Sequence, residues 1–111
     1  MSHEKFQACI DACNECATEC SHCALACLKE ADVKKLIRCI QLDLECAAMC
    51  RATAEMMSLG SSYSNELCEI CATICEACAA ECQKHAHMSH CKHCAAVCKR
   101  CAAECRMMSE L

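Results

Sequence analysis

From Cys68 to Cys82 the chain reads CEICATICEACAAEC, with its cysteines at steps of 3, 4, 3 and 4. Steps that average about 3.5 residues keep side chains on one face of a helix. The seam is that of a heptad pattern with Cys where Leu ordinarily stands. The same alternation runs through Cys9, Cys13, Cys16, Cys20, Cys23 and Cys27, and again through Cys91, Cys94, Cys98, Cys101 and Cys105. A sparser stripe of Cys39, Cys46 and Cys50 lies between them. Four stripes predict four helices, at about residues 3–30, 33–59, 64–85 and 89–108.

The punctuation fits those segments. Ser2 or a neighbour is expected to cap the first helix and Asp32 the second, with Gly60 as the second helix's C-terminal stop. The tract Gly60-Ser61-Ser62-Tyr63-Ser64 and the link His87-Met88-Ser89 are short, so consecutive helices must run antiparallel. The expected fold is all-α: one domain over residues 1–111, an antiparallel up-down-up-down four-helix bundle with a Cys-lined core. Ala8, Ala12, Ala17, Ala72, Ala79, Ala95 and Ala102 flank the seam and let helices approach closely, and the four segments read as weak internal repeats.

Composition removes the alternatives. The 111 residues include 19 Cys, one Gly, no Pro and only two aromatic rings. No ordinary core of Leu, Ile, Val and aromatics is available, so sulfur must line the interior. A loop-rich disulfide knot would lack its turn residues, and an odd cysteine count closes no framework. A net charge of −4 and so few rings exclude nucleic acid as a partner. No apolar run approaches the roughly 20 residues that span a bilayer, so no membrane association is expected. Glu4 and Asp11 stand where a signal peptide has its apolar run, which makes the cytosol, with its reduced thiols, the expected location.

So many inward thiols point to a metal. Soft thiolates select Cu(I), zinc and iron–sulfur clusters. Separate zinc sites would number at most about four, and their roughly eight positive charges leave about half of the sixteen thiolate charges unmatched. Cu(I) accepts two-coordinate sulfur and shared thiolates, so roughly one ion per Cys neutralises the core completely. The spacing agrees, because CxxC occurs six times and CxxxC eight, all within helical segments. Iron–sulfur clusters take cysteines from irregular loops, not straight lines. Nothing sets one thiol apart beside a base, so no enzyme site is expected.

The tandem CxxxCxxC runs, the HxHxxHCxxC segment from His85 to Cys94 and the CIxLDxEC segment from Cys39 to Cys46 resemble the four-helix-bundle copper storage proteins, in their cytosolic branch. The resemblance covers essentially the whole chain. It implies a bundle that fills its core with many Cu(I) ions held mainly by cysteine pairs, and a homotetramer. The expected function is high-capacity cytosolic Cu(I) storage, buffering or detoxifying copper received from and passed to unidentified donors or acceptors. Two other readings stay open: a zinc or cadmium thiolate buffer, and a structural bundle whose thiols form a redox reservoir.

Extending the registers adds non-cysteine candidates. The second stripe runs Cys39, Asp43, Cys46, Cys50, Thr53, Met57, and a carboxylate on a seam needs a partner or a metal. His85 follows Cys82 in register, His87 precedes Cys91, and His90 sits beside it. Cys27, Cys39, Asp43, Cys82, His85, His87, His90 and Cys91 are therefore expected at one mouth, with the histidines as ligands at the copper entrance. The registers lead at the other mouth to Phe6, Met57, Ser64 and Met108, with Phe6 as a plug and the methionines chiefly as filler. His3 and His22 are expected on the surface, and His93 facing outward.

Overall fold

The computed structural model describes residues 4–111. A 3₁₀ turn at Glu4–Phe6 leads into α1, Gln7–Leu28, and a second at Val33–Leu36 leads into α2, Ile37–Ser58. Then come α3, Ser64–Gln83, and α4, Ser89–Ser109, with no strand among the described residues. Each helix packs on its chain neighbours and α1 closes the ring against α4. The result is an up-down-up-down four-helix bundle of 48 × 18 × 18 Å, two helices wide in each direction. No described helix is long and apolar enough to cross a membrane.

The helices begin without the expected caps. Asp32 makes no side-chain cap bond; its carbonyl instead accepts from Lys35 N–H at 2.9 Å and opens the 3₁₀ turn that feeds α2. Ser2 lies outside the described residues. None of α1 to α4 has a side-chain N-cap, so their first turns lean on tertiary packing. The stop at Gly60 is local chemistry. Its φ of 67° lets Gly60 N–H reach Met57 O and Ser61 N–H reach Met56 O, both at 3.0 Å, which closes α2 in a Schellman motif.

Beside the seam cysteines, Ala17, Ala24, Ala47, Ala54, Ala72, Ala79, Ala95 and Ala102 are buried as well. Their single methyl groups let the helices approach closely, and of larger aliphatic side chains only Ile10, Leu36, Leu42 and Val97 are buried with them among the described residues. Exposed pairs lace the rim: Arg100 to Glu15 across α4 and α1 at 3.2 Å, and Arg106 to Glu76 across α4 and α3 at 2.8 Å. Such pairs set register more than they add stability, typically about 0–1 kcal/mol each.

Candidate metal centre

All 19 cysteines are buried, and all are free thiols. The shortest sulfur–sulfur approaches run from 3.6 Å, as between Cys9 and Cys105, to 4.0 Å, as between Cys23 and Cys27. That is van der Waals contact, far beyond the roughly 2.05 Å of a disulfide. The contacts link the helices in both directions: Cys16 meets Cys46 of α2 at 3.8 Å and Cys98 of α4 at 3.7 Å. Cys50 meets Cys71 and Cys75 of α3, both at 3.7 Å. Sulfur therefore touches sulfur along the bundle axis.

The thiols also gather in fours whose sulfurs lie within 4.8 Å of one another. Among these are Cys13, Cys71, Cys101 and Cys105; Cys16, Cys46, Cys50 and Cys75; Cys16, Cys20, Cys46 and Cys98; Cys20, Cys78, Cys94 and Cys98; and Cys23, Cys27, Cys39 and Cys91. Neighbouring fours share members: Cys16, Cys20, Cys46 and Cys98 each serve two. A thiolate shared between two groups suits a metal that accepts bridging sulfur. Closed tetrahedral sites with unshared ligands cannot occupy all of these fours together.

Asp43 is fully buried, between the mouth thiols Cys39 and Cys82 and the next thiols inward, Cys78 and Cys94. Its Oδ1 accepts from Cys78 at 3.2 Å, Cys94 at 3.5 Å and Cys82 at 3.6 Å, and its Oδ2 from Cys39 at 4.0 Å. Burial, with Cys94 beside it, pushes its carboxyl up to about 8. Burial likewise pushes up the thiols at the end of the column, Cys27 and Cys91, the latter to about 11.

The three linker histidines do not converge on one point. His90 is half-buried with Nε2 3.5 Å from Cys27 Sγ, and Cys27 meets Cys91 at 3.7 Å. His85 is held instead by Glu81, Nε2 to Oε2 at 3.3 Å, and Lys84 takes the other carboxylate oxygen at 3.3 Å. His85 and the exposed His87 line a pocket of about 290 Å³ with Glu30, Asp32, Lys35, Leu36 and Met88, just outside the column. His93 faces out, 3.5 Å from Glu19, and His22 is exposed. His3 lies outside the described residues.

Phe6, Met57 and Ser64 are buried at the far end, while Met108 is half-buried. Ser64 Oγ donates to Ser61 O at 2.8 Å, a turn bond rather than a core contact. Two features there were not read from the sequence. Cys68 Sγ–H donates to Met57 Sδ at 3.6 Å, and the buried Thr53 hydroxyl has no hydrogen-bond partner. Both residues stand on the α2 stripe, so register was the available signal.

The family model for copper storage proteins matches residues 2–110. The chain belongs to the copper storage protein family. Among copper storage proteins of known structure, a cytosolic one from Streptomyces lividans, bearing five coppers, superposes with a TM-score of 0.93 at 38% identity, covering 98% of this chain and 95% of that one. Apo copper storage protein 3 from Bacillus subtilis gives a TM-score of 0.87 at 45% identity, covering 93% and 97% of the two chains. The cysteine-rich protein YhjQ of Bacillus subtilis strain 168 is 46% identical over 85 residues, 77% of this chain and 78% of its own length. Within this fold the inward stripe of α2 carries a carboxylate, a hydroxyl and a thioether besides its thiols.

Proposed function

We propose that the chain stores Cu(I) at high capacity in the cytosol, with all 19 cysteines as ligands and close to one ion per thiol. The observation that carries this is the unbroken sulfur column with shared groups of four. A core of thiolates buried away from water needs one positive charge for each, and bridged Cu(I) supplies it. Copper is the cargo, and no catalytic role is assigned. The Streptomyces lividans and Bacillus subtilis structures support the metal, and the former supports the cytosolic location.

Copper enters at the end of the bundle where α3 joins α4. His85 and His87 meet it in the outer pocket, and His90 passes it to Cys27 and Cys91. Asp43 acts one step further in, where it accepts protons' hydrogen bonds from the thiols that copper will deprotonate. The assembly is a homotetramer; Leu25, Leu28, Ile37 and Leu44, exposed on α1 and α2, offer apolar surface that a second copy can cover.

Anaerobic titration of the apo protein with Cu(I) and, in parallel, Zn(II) tests the reading. The expected Cu(I) endpoint is roughly 15–20 ions per chain with Cu(I)–thiolate luminescence, and Cu(I) displaces zinc. Saturation of the Cu(I) titration at about four ions would favour separate tetrahedral sites of the zinc type and end the storage reading.

A further inference from the structure

At the end capped by Phe6, three helices each turn a thiol inward: Cys9 from α1, Cys68 from α3 and Cys105 from α4. Cys9 and Cys105 touch at 3.6 Å, and all three thiols are fully buried. The fourth helix, α2, contributes Met57. Its side chain is fully buried, and its Sδ meets Cys68 Sγ at 3.6 Å, the same separation as between neighbouring thiols elsewhere in the column. A methionine that merely fills a gap has no reason to turn its sulfur, rather than its methyl group, to the metal-binding side. Here the sulfur continues the column by one more member.

We propose that Met57 is a Cu(I) ligand, its thioether joining Cys9, Cys68 and Cys105 in a closed-end site built from one sulfur of each helix. This rests on the Cu(I) storage reading above. Each thiol that takes copper releases its proton, whereas a thioether has none to release. Met57 therefore adds a donor without adding a negative charge, and one copper per thiol still leaves the core neutral. A cysteine at this position would add a charge at the apolar cap, where Phe6 is buried and Lys5 lies over its ring at 5.3 Å from the ring centre. A thioether is also a soft donor that favours Cu(I) over zinc, so the site extends the column's selectivity to its last layer.

The test is selenium X-ray absorption on selenomethionine-labelled full-length chain, apo and saturated with Cu(I), beside the same pair for Met57→Leu. Leucine keeps the volume and removes the donor, and circular dichroism checks that the variant stays helical. The expected result is a copper scatterer in the selenium first shell of the loaded wild type that is lost in Met57→Leu. Only carbon around selenium in a fully loaded wild type, or a copper signal that survives in Met57→Leu, overturns the Met57 site while leaving storage intact. Failure of both proteins to take up more than about ten Cu(I) instead defeats the storage reading itself.

Discussion

Asp43 and Thr53 show what a single polar group means inside a sulfur core. The Asp43 carboxyl sits at about 8 in the folded chain against an ordinary 3.8, because burial penalises its charge. The folded state therefore binds this proton more tightly than the unfolded state. The contribution is fully present below about 4 and is lost as pH rises through the folded value of about 8. Denaturant unfolding of the apo protein should accordingly show stability falling between about pH 4 and pH 8, with Asp43 responsible for a loss on the order of a few kcal/mol. Asp43→Asn keeps the shape and cannot ionise, so its curve should be flatter; an unchanged slope would show that Asp43 is not the group responsible. Thr53 offers a simpler case. Its hydroxyl is buried without a partner, which ordinarily costs about 1–3 kcal/mol. Thr53→Val, nearly the same shape, should stabilise the apo protein by about 1 kcal/mol, read as a raised unfolding midpoint at constant slope. A loss of stability would mean that the hydroxyl has a partner in solution.

The elements were legible wherever the spacing of one residue type carried the information. The alternation of 3 and 4 through α1, α3 and α4 marks their buried faces, and Gly60 marks the end of α2 by a backbone angle that few other residues adopt. The helix starts were not legible, since Phe6, Leu36, Tyr63 and Met88 stand at the N-cap positions and none of them caps with a side chain. Three-dimensional packing decides those boundaries. The link between α3 and α4 shows the same limit for function. Register put His85 on the seam after Cys82, but Glu81, four residues earlier, draws its ring aside. His90, placed only beside the seam by register, is the histidine that reaches Cys27. Replacing His85, His87 and His90 together by Leu should slow Cu(I) uptake and its removal by a chelator, while capacity stays the same because the inner thiols remain. Stopped-flow monitoring of uptake checks this, and wild-type rates in the variant would move the entrance to the other end of the bundle.

At the scale of the whole molecule, the alanines and the cysteines form one design. Ala beside the seam draws the helices together, and Cys in the seam then fills the narrow bore with sulfur in contact with sulfur. A bore of leucine would pack better as a core but could hold no metal. The sequence pattern makes this architecture readable because fold and function use the same residues, and it becomes less readable at the column's ends, where His, Asp and Met replace Cys. A preformed sulfur column should accept close to one Cu(I) for each of its 19 thiols. Native mass spectrometry of the anaerobically saturated protein counts those ions directly. The expected result is a narrow distribution near about 19 coppers per chain, with each ion bound in place of one proton. A distribution that stops near about four ions, or one that never passes about ten, would contradict it.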